Sequence, residues 1–175
     1  VLKNIDFSCH KGQKIAVIGS TGSGKSTLVK LMNRFYDVSR GSIEINGVDI
    51  RKYNLESLRT QIGYVAQKAH MFKGSIQSNI CFGKPEASVE EMVHAATVAQ
   101  ASNFISTRER GYEDEIAEDG TNISGGQKQR LSIARVILKK PSLYIYDDSF
   151  SALDFKTDAT LRKALKPEVK NAIFF

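Results

Sequence analysis

Lys14-Ile15-Ala16-Val17-Ile18 is a short, mostly apolar run closed by Gly19, the pattern of a buried strand. A glycine-rich turn follows. Leu28, Leu31, Met32 and Phe35 then recur at helical spacing and predict a helix with one apolar face. From Ser42 to Ile50 the chain alternates in character around Asn46-Gly47, the dipeptide that favours a tight β-hairpin turn. Ile62 to Ala66 reads as a further strand. Ser88 and Glu91 form a capping box, so a helix is expected from there toward Gln100. Another helix should begin near Ser124-Gly125-Gly126, carry Leu131, Ala134 and Leu138 on one face, and stop before Pro141. Leu143 to Tyr146 is a buried strand. A helix over Phe155 to Leu165 is expected to end at Pro167, and Ala172 to Phe175 reads as the start of one more strand, cut off by the chain end. Strands alternating with helices imply an α/β fold with a mainly parallel sheet.

With 175 residues the chain suffices for one domain with a sizeable core, and its 41% hydrophobic and 25% charged residues are ordinary for a soluble domain. No apolar stretch approaches the roughly 20 residues of a membrane-spanning helix, and no secretory signal opens the sequence. The net charge of +6 could serve nucleic acid, anionic lipid or a phosphate ligand. The lysines and arginines are spread along the whole chain, however, so a solvated basic surface without a nucleic-acid partner is the expectation. Cys9 and Cys81 match no metal spacing and no CxxC motif, and are expected to be reduced, partly buried thiols. His10, His70 and His94 are scattered and read as surface or packing residues.

Gly19-Ser20-Thr21-Gly22-Ser23-Gly24-Lys25-Ser26 fits the phosphate-binding pattern G-x-x-x-x-G-K-[ST]. Glycines let the backbone curl so that its N–H groups face phosphate oxygens, and the helix starting near Lys25 adds its positive end. Lys25 would reach the β- and γ-phosphates, and the Ser26 hydroxyl would ligate Mg²⁺. Glycine-rich loops also arise by chance, but here a strand pattern precedes the loop and a helix pattern follows it. Asp147 closes the apolar strand Leu143 to Tyr146, at the sheet edge where ligands of open α/β sheets bind. There it could hold Mg²⁺, although an Asp after a strand is often only a turn residue. Ile123-Ser124-Gly125-Gly126-Gln127 is in isolation a flexible turn opening a helix, with a hydroxyl and backbone N–H groups that also suit an anion.

Taken together, these stretches resemble the ATPase domain of ABC transporters. Ile123 to Gln127 resembles the signature LSGGQ with Ile for Leu. Gly19 to Ser26 matches Walker A, Gln67 the Q-loop glutamine, Tyr144 to Asp147 Walker B, and Ser151-Ala152-Leu153-Asp154 the D-loop. The stretch Gly63 to Gln67 with Phe72, Gly74-Ser75-Ile76 and Asn79-Ile80, and the stretch Tyr112 to Gly120, are similar to exporters of the multidrug and lipid kind. The resemblance implies a P-loop NTPase core with a small antiparallel part. It also implies a helical subdomain over approximately 68–138 that carries the signature. ATP and Mg²⁺ are the implied cofactors. Gly19, Ser20, Thr21, Gly22, Ser23, Gly24, Lys25, Ser26 and Thr27 would hold the nucleotide in cis. Ser124, Gly125, Gly126 and Gln127 would contact the ATP of a second nucleotide-binding domain, paired head to tail. Ser26, Gln67 and Asp147 would serve the metal, and Asp148, Gln67 and Lys25 catalysis. Further implied are a transmembrane domain in the same transporter and a place on the cytoplasmic face of the membrane. The adenine-stacking aromatic upstream and the switch histidine downstream are expected outside residues 1–175, which would then be a piece of a longer exporter.

One position departs from the family pattern. Glu usually follows the Walker B Asp and positions the attacking water, whereas this chain has Asp148, one methylene shorter. Misplacement by about 1 Å can cost on the order of 100-fold in rate, so impaired hydrolysis in cis is expected, with a neutral replacement as the competing reading. Three functions compete: the ATP-driven engine of an exporter, a soluble ATPase acting on DNA or ribosomes, and a regulatory module that binds ATP but hardly hydrolyses it. The compact stretch between Gln67 and Ser124 argues against the second. Asp148 beside a nearly intact signature favours the degenerate half of a heterodimeric exporter.

Overall fold

The structure, a computed structural model, describes residues 2–175. Its central sheet is parallel, with β3 (Ile62–Val65) beside β6 (Leu143–Tyr146) and β6 beside β7 (Ile173–Phe174). The register is fixed by Ile62 opposite Leu143 and Val65 opposite Tyr146. Side chains alternate between the two faces. Leu143 and Ile145 pack with Val29, Met32, Leu58 and Ile62, beneath α1 (Lys25–Met32) and α2 (Leu55–Gln61). Tyr144 and Val65 instead join the larger cluster built from α3 (Ile76–Ile80), α4 (Val89–Val98), α5 (Ser102–Ile105), α6 (Gly125–Lys139) and α7 (Phe155–Glu168). Both faces are therefore covered, which explains why these strands read as near-continuous apolar runs. Gly63 is required by this packing: a Cβ there would lie 2.5 Å from Val136 and 2.6 Å from Pro141.

Local signals gave the element ends. Asn46 and Gly47 both take positive φ, 53° and 74°, in the turn between β1 (Glu44–Ile45) and β2 (Val48–Asp49), as a primed hairpin turn demands. A second small antiparallel pair joins β4 (Gly74–Ser75) to β5 (Glu115–Ile116). Ser88 caps α4 and Ser124 caps α6, each in a complete capping box, and Asp154 caps α7 by accepting from the Thr157 N–H at 2.9 Å. Leu131, Ala134 and Leu138 lie on the buried face of α6, which ends on left-handed Lys140 just before Pro141.

Three expectations need correction. Lys14 to Ile18 is not a buried strand. Only Lys14 bridges to Phe174, with the Ile15 N–H donating to the Phe174 carbonyl at 2.8 Å. The ladder stops where β7 stops, so Val17 stays exposed and Ile18 is 94% exposed. The helix after the glycine loop ends at Met32, because Arg34 enters the left-handed region at φ 51°. Its buried face is Val29 and Met32, and Phe35 lies beyond it, exposed and edge-on to Tyr64. Finally, α7 runs through Pro167 to Glu168. A proline in the last turn gives up one donor where the helix is already finishing, and the Val169 N–H still reaches the Leu165 carbonyl at 3.1 Å.

Candidate functional site

The glycine loop is held in a tight curl. A Cβ on Gly19 would sit 2.5 Å from Ser23 Oγ, and Gly24, at φ 98°, occupies the residue before α1. No side chain caps that end of α1, although α4, α6 and α7 are all capped. The first intrahelical bond runs from Leu28 N–H to the Gly24 carbonyl, which leaves the earliest amides of the helix directed at the loop. Lys25 Nζ folds over the same loop and donates to the carbonyls of Gly19 at 2.7 Å and Ser20 at 3.0 Å. Ser20, Thr21, Gly22, Ser23, Ser26 and Thr27 are exposed. An anion seated there would meet an ammonium, backbone donors and a helix N-terminus together.

The parallel register brings the ends of β3 and β6 to this loop. Ser26 Oγ donates to Asp147 Oδ1 at 3.0 Å, joining residues far apart in sequence. Tyr64 lies 3.5 Å from the other carboxylate oxygen, Asp147 Oδ2. Burial pushes the Tyr64 phenol up, and the charge of Asp147 adds to the effect. Gln67 Nε2 donates to Asp148 Oδ2 at 3.0 Å. No cluster of three or more His, Cys, Asp or Glu able to hold a metal occurs among the described residues. A cation here would be held by the Ser26 hydroxyl and the Asp147 carboxylate, with Gln67 beside Asp148 as a further oxygen donor. This hard, sparse donor set suits Mg²⁺ rather than Zn²⁺.

The signature stretch stands apart. Among the described residues no hydrogen bond joins Ile123–Gln127 to Gly19–Thr27. Ser124 Oγ accepts from the Gln127 N–H at 3.2 Å, and the Gln127 side chain accepts from the Ser124 N–H at 2.9 Å. Gln127 thus spends its amide oxygen on the helix end, while the Ser124 hydroxyl keeps its proton for another acceptor. Ser124 and Gly125 are exposed, and Gly126 packs against the D-loop, where a Cβ would lie 3.2 Å from the Ala152 carbonyl.

Residues 2–151 match the ABC transporter family. The chain belongs to the ABC transporter family. This ABC domain is 44% identical, over all of its 175 residues, to a putative multidrug export ATP-binding/permease protein of Bacillus subtilis, of which it covers 30%. It is 45% identical over 171 residues to heavy metal tolerance factor 1 of Caenorhabditis elegans, covering 21% of that protein. The structure of a bacterial Atm1-family ABC exporter with ATP bound matches 93% of this chain at a TM-score of 0.90 and 37% identity, over 29% of its own length. The ABC domain therefore spans less than a third of the relatives it matches, and its fold is the P-loop NTPase fold of the family.

Some residues that shape the site of this ABC domain carried no signal in the sequence. Ser149 is buried and donates to the Val65 carbonyl at 2.7 Å, and Gln129 donates to the Ala66 carbonyl at 3.1 Å, so both brace the approach to Gln67. Tyr64 could have been suspected only from its place three residues before Gln67 on a strand. Tyr146, just before Asp147, stacks on Phe150 at 5.2 Å and Phe174 at 4.8 Å. Its hydroxyl is buried without a partner. A buried unpaired hydroxyl is destabilising, so Tyr146→Phe should raise stability by about 1 kcal/mol, a few degrees in thermal unfolding. A fall in the unfolding midpoint would show that the hydroxyl has a partner after all.

Proposed function

We propose that this chain is the ATP-binding and hydrolysing domain of an ABC exporter, at the cytoplasmic face of a membrane. The observation that carries the reading is the 3.0 Å contact of Ser26 with Asp147, which assembles Walker A and Walker B at one spot. In this reading Gly19 to Thr27 wrap the phosphates, Lys25 balances their charge, and Ser26, Asp147 and Gln67 serve Mg²⁺. Bound there, the metal would supply positive charge to offset that of the phosphates. Ser124 and Gly125 are exposed, and their exposure supports a role for Ser124 to Gln127 toward ATP held by a second domain. The names of the relatives support a permease portion in the same transporter. An exposed, stacked Phe72–Phe82 pair near the Q-loop, with centroids 4.3 Å apart, supports a protein surface seated on this face. Asp148 in place of the usual Glu supports a degenerate site in cis, and hence a heterodimer whose partner provides the fast site.

The test is steady-state ATP turnover by the full-length transporter with its partner. Chelating Mg²⁺ should abolish turnover. Asp147→Asn should abolish the Mg²⁺-dependent nucleotide binding of this chain's own site while the fold is kept. Turnover that survives chelation would overturn the reading. The heterodimer has its own check: the purified transporter should yield two different chains by mass spectrometry, and a fully active single-chain dimer would reject it.

A further inference from the structure

We propose that Asp148 acts on Gln67 rather than on the attacking water: it is a positioning residue that orients the Q-loop amide toward the cation site. The inference rests on the reading of Ser26 and Asp147 as the residues that serve Mg²⁺. The geometry starts from the register. Val65 pairs with Tyr146, and counting on from that pair sets Gln67 beside Asp148 on neighbouring strand ends. The ladder is still closed at that point, since the Asp147 N–H donates to the Val65 carbonyl at 3.0 Å. Adjacent strands lie roughly 4.8 Å apart, a gap that a short carboxylate and a long amide can bridge. They do so, with Gln67 Nε2 at 3.0 Å from Asp148 Oδ2.

The contact fixes which way the amide faces. An ionised carboxylate only accepts, so Gln67 must turn its NH₂ to Asp148, and its carbonyl Oε1 is left as the ligand end. Oε1 accepts no hydrogen bond from any other described residue. An amide that could rotate freely would offer a cation its NH₂ as often as its oxygen. Partners that orient a metal ligand in this way are commonly worth about 10- to 100-fold in metal affinity.

The backbone at Asp148 supports the same assignment. Its φ is 51°, in the left-handed region that Asp enters more readily than Glu. Its carbonyl is held by the Ser151 hydroxyl at 2.8 Å, and the next residue is pinned by the buried Ser149. The carboxylate is therefore presented from a fixed turn on a short arm, already engaged by Gln67.

The experiment measures binding of a fluorescent ATP analogue to the full-length transporter with its partner, as a function of Mg²⁺ and again in excess chelator. The signal of interest is the component that Lys25→Ala removes, which reports this chain's own loop. Asp148→Ala and Gln67→Ala should each raise the Mg²⁺ concentration for half-saturation by about 10- to 100-fold, with chelator-condition affinity unchanged. The double variant should be no worse than either single one. Asp148→Asn keeps an acceptor for the Gln67 amide and removes the charge, so it should stay within about threefold of the parent. An unchanged Mg²⁺ requirement in Asp148→Ala, additive losses in the double variant, or an Asn variant as poor as the Ala variant would each overturn the proposal. Loss of the Mg²⁺-dependent binding in Asp147→Asn separates the two readings: if Asp147→Asn also has no effect, the cation site itself is wrongly placed.

Discussion

Lys25→Ala should weaken MgATP binding at this chain's own loop by about 100-fold or more, effectively abolishing it at ordinary nucleotide concentrations. Lys25 Nζ is held over the loop by the Gly19 and Ser20 carbonyls, at 2.7 and 3.0 Å. The ammonium is thus placed before any phosphate arrives, and little side-chain entropy remains to be lost on binding. Removing one member of a desolvated charge pair commonly costs about 2–5 kcal/mol, most of it from the charge left unpaired. The loss should be confined to nucleotide. Lys25 opens α1 and makes no contact that helix needs, because the Leu28 N–H to Gly24 carbonyl bond closes its first turn. Calorimetric or fluorescence titration of the full-length variant provides the measurement, with circular dichroism as the folding control. Affinity within threefold of the parent would remove Gly19 to Ser26 from the nucleotide site.

How far the sequence foretold this site depends on how local each interaction is. The Asn46-Gly47 turn, the Ser88 capping box, the helix start at Ser124 and the stop at Pro141 were all legible, because each is settled by residues within one turn of one another. The run Leu143 to Tyr146 was legible as buried, since apolar residues on both faces leave it no solvent side. Lys14 to Ile18 is also a mostly apolar run but has a different outcome, because a strand's burial is decided by the neighbour beside it. Its ladder ends at Phe174, and Val17 and Ile18 pass into solvent. The face of α1 was read only in part, for a related reason: Met32 is buried and Leu28 packs against the same cluster, as the spacing implied, but Val29 rather than Leu31 or Phe35 completes that face. The pairing of Gln67 with Asp148 could not be read at all. Each residue was visible, but only the register of β3 against β6 places one beside the other.

Ser124→Ala should lower turnover of the assembled transporter by about 10- to 100-fold, the usual loss for one hydrogen bond to a charged group in a dry site. Asp148→Glu should change it within about twofold. The difference follows from which ATP each residue would serve in the proposed head-to-tail pair. Asp148 stands beside Gln67 in this chain's own site, whereas Ser124 is exposed, away from the glycine loop, with a hydroxyl proton still to donate. If the partner supplies the fast site, that site needs Ser124 and is indifferent to Asp148. A structural explanation must be separated from this one, since Ser124 caps α6 and alanine at such a position costs about 0.5–2 kcal/mol of stability. Glycine costs only a few tenths there, so Ser124→Gly keeps the helix and still lacks the hydroxyl. Equal loss of turnover in Ser124→Ala and Ser124→Gly, with unfolding midpoints that differ, assigns the effect to the ligand. Full activity in Ser124→Gly would assign it to the cap. Intact activity in both Ser124 variants, together with complete loss in Asp148→Asn, would show that the fast site is this chain's own. Asp148 would then be the base after all, and the degenerate site would belong to the partner.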